Sequence, residues 1–171
     1  FLEKNNEANL EVVQLSHKKG GKKTKADHAF DEAFQSFEKK KQADADNAFN
    51  LGDYPAGLKL FSELLTNSPE DPENNFKFGV CIFNAEKDKN KAIPYFQAAS
   101  KSLKTPSEVF YYLAMIHHLN NQYDLAIGNF EKFAKISSSS EIKKMKIDRK
   151  IENCINGKIV FASLASVEII H

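Results

Sequence analysis

Apolar side chains recur along this chain at spacings of three and four residues, with polar side chains between them. From Ala26 the series Ala29, Phe30, Ala33, Phe34 and Phe37 lies on one face, which predicts a helix running to Leu51. Gly52, Asp53 and Tyr54 break it. Pro55 opens the next helix, at 55–67, where its missing N–H costs nothing. Pro69 and Pro72 close this hairpin, since neither can continue a helix. The same order returns twice. Helices are predicted at 72–86 and 91–103. A further helix then carries Phe110, Leu113, Ala114 and His117 on one face, followed by a turn over Asn120, Asn121, Gln122 and Tyr123 and a helix at 124–136.

The second helices of the three hairpins align. Their frames are Gly57-Leu58-x-x-Phe61-x-x-Leu64, Ala92-Ile93-x-x-Phe96-x-x-Ala99 and Ala126-Ile127-x-x-Phe130-x-x-Phe133, with the first phenylalanines 35 and 34 residues apart. The longer turn at Lys87–Asn90 accounts for the extra residue. Each first helix places a small residue, Ala45, Gly79 or Ala114, where its partner crosses, and Gly57, Ala92 and Ala126 answer from the other side. Small residues at the crossing let helix axes approach to about 8 Å.

A period near 34 residues with this small–aliphatic–aromatic face resembles the tetratricopeptide repeat, over about residues 38–136. The early Trp of the consensus is absent. The resemblance implies an all-α, right-handed superhelix of three helix-turn-helix units whose first helices line a concave face that holds other proteins. Composition and spacing set residues 1–25 as an N-terminal arm and basic linker, 26–136 as the array of about three units, and 137–160 as a single capping helix with its flanks. The capping helix is expected at about 141–158 with Ser140 as its N-cap. Its apolar stripe is Ile142, Met145, Ile147, Ile151, Cys154 and Ile155, and lysines and Arg149 occupy the other face. Residues 161–171 are read as linker, with a strand at 165–170 leading to a further domain.

Motif spacing assigns Phe49, Phe76, Val80, Phe83, Asn84, Tyr111, Met115 and His118 to a partner-binding groove on the concave face. An apolar patch with a polar rim is the usual mark of a binding surface. Three occupants fit it: a protein or peptide partner, a small ligand such as a cell-wall fragment, or a part of the same chain. Clamps for acidic C-termini use basic inward residues. Here those places hold Gln42, Asp46, Lys77, Glu108 and Tyr112, and the two acids would repel a carboxylate.

Charge and chemistry narrow the picture further. A net charge of +1 gives no general attraction to nucleic acid or an anionic surface. The run at 16–25 holds five lysines and two glycines without an aromatic to stack a base, so it reads as a solvated linker. No apolar run reaches the roughly 20 residues of a membrane span. Cys81 and Cys154 are too few for a disulfide framework and are expected as separate buried thiols. His117 and His118 are adjacent on a helix, about 100° apart, and cannot easily share a metal. No phosphate loop, nucleophile elbow or Cys-x-x-Cys is present, so no catalytic residue, metal or cofactor is expected. The chain begins at Phe1, not Met, as a trimmed segment would.

A narrower resemblance covers about 19 residues. Ile151-Glu152-Asn153-Cys154-Ile155-Asn156-Gly157-Lys158, followed by Ala165-Ser166-Val167-Glu168-Ile169, is similar to the junction after the tetratricopeptide module of certain Bacteroidetes envelope proteins. Those continue into a β-propeller and an OmpA-like domain, and some serve type IX secretion and gliding motility. The resemblance implies a periplasmic, outer-membrane-associated scaffold. Any contact with peptidoglycan would be made through a C-terminal domain outside this sequence.

Overall fold

The computed structural model describes residues 24–168, with side chains to Leu164. The arm expected at 1–25 therefore lies almost wholly outside the described residues. The chain divides after Lys40 into two compact units. In the first, Thr24 and Asp27 cap the start of helix α1 (Lys25–Asn50) reciprocally: Asp27 N donates to Thr24 Oγ1 at 3.2 Å, and Thr24 N donates to Asp27 Oδ2 at 2.7 Å.

The second unit is an all-α array. After α1 come α2 (Tyr54–Asn67), α3 (Pro72–Ala85), a 3-10 turn at Lys89–Ala92, α4 (Ile93–Ala99), α5 (Glu108–Leu119), α6 (Tyr123–Ile136), α7 (Ser139–Met145) and α8 (Ile147–Glu168). From α2 onward the helices pack on near neighbours in sequence, as a repeat array requires, and α1 meets α2 through Phe49 and Phe61 and α3 through Gln42 and Asn74. Local chemistry sets the boundaries. Gly52 takes φ +73° in the first turn, a left-handed conformation that glycine adopts without cost. Asp53 caps α2 by accepting from Ala56 N at 3.2 Å, and Asp71 caps α3 by accepting from Asn74 N at 2.8 Å. Pro55 and Pro72 sit in the first turns of those helices.

The three phenylalanines of the repeat frame, Phe61, Phe96 and Phe130, are fully buried, and so are Ala45, Ala92, Ala114 and Ala126. The small residues work somewhat differently from the expectation. A Cβ at Gly79 would meet the ring of Phe96 at 2.7 Å, so this glycine makes room for the aromatic of its own unit. A Cβ at Gly57 would meet Cys81 Sγ at 2.7 Å, so that glycine accommodates the next unit.

Three elements depart from the sequence reading. The second helix of unit two begins as the 3-10 turn capped by Asp88, which tightens the chain around the one-residue insertion, and it ends at Ala99 instead of 103. The capping region is two helices. Ser138, not Ser140, is its N-cap, in a reciprocal box with Glu141, and Lys146 at φ 53° separates α7 from α8. Finally, α8 runs to Glu168, so residues 161–168 are helical where a linker and strand are expected. A strand needs a neighbour to satisfy its backbone, whereas a helix satisfies its own. Residues 169–171 lie outside the described residues.

Candidate functional site

The first helices α1, α3 and α5 bring the predicted groove residues onto one succession of faces, in three differing environments. Between α1 and α3 the contact is polar. Gln42 and Asn74 exchange amide hydrogen bonds at 2.9 and 3.1 Å, and Lys77 Nζ donates to Asp46 Oδ1 at 2.8 Å and to Glu73 Oε1 at 2.5 Å. Burial alone would lower the Lys77 pKa, but the hydrogen bonds and charges of Asp46 and Glu73 outweigh it and raise the value. In the sequence Asp46 and Lys77 stand only as clamp positions 31 residues apart, and no spacing rule there pairs them.

Between α3 and α5 the contact is aromatic. Phe76 and Phe83 bracket Tyr112, with ring centroids at 6.2 and 5.1 Å, and Tyr112 stacks on Phe96 at 5.3 Å with an interplanar angle of 6°. Lys89 Nζ lies 5.5 Å from the Phe83 ring. Phe49, on α1, meets Phe61 edge-on at 6.3 Å. Phe49, Phe76 and Phe83 are half-buried, each packed on the core while keeping an exposed flank. Burial, followed by the charges of Tyr54, Tyr111 and Glu108, pushes the Tyr112 phenol up to about 12, so it stays neutral and apolar in character. Tyr112 is the centre of this cluster, which its clamp-position spacing in the sequence does not reveal.

Val80 is buried in the core and presents no surface, which corrects its assignment to the groove. Its position on α3 turns it toward α4 instead, among the cluster that includes Phe96 and Ile116. Asn84 is exposed and donates to the Val80 carbonyl oxygen at 2.8 Å.

The remaining three residues face α8. Lys150 Nζ reaches Met115 Sδ at 3.4 Å and lies 5.5 Å from the Tyr111 ring. His118 Nδ1 is 3.1 Å from Cys154 Sγ, and the His118 ring meets Tyr123 at 5.8 Å. Tyr111 also packs on Phe130 and Phe133. Tyr111, Met115 and His118 are thus half-buried beneath the chain's own last helix, and the open part of the candidate surface is the stretch Phe49–Phe76–Phe83–Asn84. Both cysteines are buried free thiols. Burial raises Cys81 to about 11 and raises Cys154 despite the opposing charge of Lys150.

Two hollows lie away from these eight residues. One, of about 790 Å³, is floored by Leu58, Phe78, Ile82 and Tyr95, between α2, α3 and α4. The other, of about 380 Å³, lies between the start of α6 and Lys158, Phe161 and Ala162 of α8. Among the described residues no group of three or more His, Cys, Asp and Glu converges on a common point, and no helix is long and apolar enough to cross a membrane.

No family model matches the chain, and neither does any curated protein. Among solved structures it is similar to one described as the crystal structure of MamA protein, at 15% identity and a TM-score of 0.53. The match covers 74% of this chain and 73% of that one. MamA is a tetratricopeptide-type protein, and at this identity the likeness concerns the fold. The chain has a tetratricopeptide-like, all-α superhelical fold.

Proposed function

We propose that this chain is a protein-interaction scaffold module that holds a protein or peptide segment against the α1–α3–α5 face. The observation that carries the reading is the aromatic cluster of Phe76, Phe83 and Tyr112. Its rings are fixed by packing from below yet keep exposed flanks, and the Lys77 clasp on one side and exposed Asn84 on the other form a polar border. Rigid aromatics offer contact area at small entropic cost, which suits them to the centre of an interface. The tetratricopeptide-like fold supports the same class of function.

A photo-crosslinker at Asn84 should label a partner that one at Lys59, on α2, does not. Phe83→Ala should abolish that labelling while leaving the melt cooperative, and binding should survive high salt because the surface is apolar. Equal labelling at both positions, or labelling unaffected by Phe83→Ala, would remove this face as the site.

A periplasmic, outer-membrane-associated role in a type IX-like assembly is a narrower proposal. Its support is the segment Ile151–Lys158, since residues 165–168 are helical and do not supply the strand of that junction. Fractionation of cells carrying the tagged native protein tests it, and recovery in the cytoplasm alone would end it.

A further inference from the structure

We propose that the array binds a second copy of itself head to tail, the basic end formed by α7 and α8 docking on the acidic end formed by residues 41–73. A repeat array needs a polar cap over its last face. Helix α8 is a poor one. Its inner face is spent on the array through Ile147 and Cys154, both fully buried, and Lys158 pairs with Asp124 at 2.5 Å in the first turn of α6. Beyond that pair α8 runs past the start of α6. Along its outer surface Ile155 is 46% exposed, Ile159 60% and Leu164 62%. A helix apolar around so much of its circumference calls for cover on more than one side.

Charge indicates what covers it. The overall balance of +1 conceals two opposite ends. Residues 131–158 carry eight basic and four acidic side chains, a net of +4, and residues 41–73 carry two basic and seven acidic ones, a net of −5. At the basic end Lys143, Lys144, Lys146 and Arg149 are exposed and belong to no ion pair among the described residues. At the acidic end the same holds for Asp44 and Glu70. Two basic ends would repel one another, so a symmetric α8-to-α8 pair is disfavoured. A basic end meeting an acidic end gains from charge, and Leu51 at the acidic end, 76% exposed, gives the apolar flank of α8 a counterpart. The two surfaces differ, so the contact is heterologous and can repeat from copy to copy.

Sedimentation velocity of the full chain over a concentration series reads this out. At low salt the average mass should rise beyond that of a dimer, and in about 0.5 M salt it should fall toward the monomer. Two surface variants separate the ends, with retained helical melts confirming that each is folded. Lys143→Glu with Ile159→Glu blocks the basic end, and Asp44→Lys with Glu70→Lys blocks the acidic end. Each alone should be monomeric. Mixed in equal amounts they should form a species of twice the monomer mass and nothing larger, because one intact end of each kind remains. A wild-type chain that stays monomeric at every concentration overturns the proposal. So does an acidic-end variant that associates as the wild type does, which would reveal symmetric pairing through α8.

Discussion

The ring of Phe96 lies against the backbone of Gly79, so closely that a methyl group on that glycine would come within 2.7 Å of ring carbon Cε1 and 2.9 Å of Cδ1. Phe96 is fully buried and stacked on Tyr112, so the ring cannot swing aside without disturbing α5. Alanine is favoured over glycine inside a helix by about 1 kcal/mol. Overpacking a tight core costs about 1–3 kcal/mol. Gly79→Ala should therefore destabilise the array despite its better helix propensity, and urea denaturation would show it as a lower midpoint.

Truncating the ring tests the same contact from the other side. Phe96→Ala removes contact area and leaves a cavity, at a cost of about 3–5 kcal/mol. Chemical denaturation monitored by far-UV circular dichroism measures it directly. A loss under about 1 kcal/mol would mean that Phe96 is not the packing centre of the second hairpin.

Both thiols should be silent in the folded protein. Cys81 titrates near 11 because it is buried, and burial also raises Cys154, so neither is a thiolate near neutrality. Reaction with an aromatic disulfide reagent at pH 8 should be slow and should track unfolding as denaturant is added. Rapid modification of Cys154 in the native protein would mean that α8 detaches readily from α5.

The box at the start of α7 predicts a pH dependence. The Ser138 hydroxyl and backbone N–H donate to Glu141 at 2.6 and 2.8 Å, and these bonds hold its carboxyl below the ordinary glutamate range. The folded pKa is depressed, so the contribution to stability is present above the unfolded value and is lost as pH falls through the folded one. A carbon-detected NMR titration should place the Glu141 midpoint below those of exposed glutamates, and Ser138→Ala should move it up toward them.

The clasp at Lys77 has the opposite sign. Its folded pKa is raised, because Asp46 and Glu73 overcome the effect of burial. Its contribution is therefore complete below the unfolded lysine value and is lost only as pH rises through the folded one. Lys77→Met should lower the denaturation midpoint at pH 7, and the difference from the native protein should shrink above about pH 10.4, where lysine loses its charge.

Most of the array was legible in the sequence because its signal is periodic. The buried phenylalanines Phe61, Phe96 and Phe130 are the ones the 35- and 34-residue intervals mark, and Pro55 and Pro72 sit where the hairpins begin. The third unit's share of the groove was less legible. Tyr111, Met115 and His118 occupy motif positions that face inward in a single hairpin, but whether such a face is open depends on what packs next to it. Here α8 does, through Lys150 and Cys154, across 35 and 36 residues of sequence with no repeat frame to announce it. The tail departs from its expected strand for a related reason. Val167 and Ile169 suit a strand by composition, but a helix already under way can extend without any partner.

Gly157 offers a handle on this arrangement. A Cβ there would lie 2.6 Å from Cζ of Tyr123, so a larger residue must push aside the tip of that half-buried ring or wedge the terminal helix outward from the third hairpin. Because each hairpin touches little beyond its neighbours, such a wedge would fray the molecule from one side and leave Phe61 and its surroundings intact. The fit of one glycine against one ring thus bears on how readily the far edge of the array can be peeled open, with little effect on the rest.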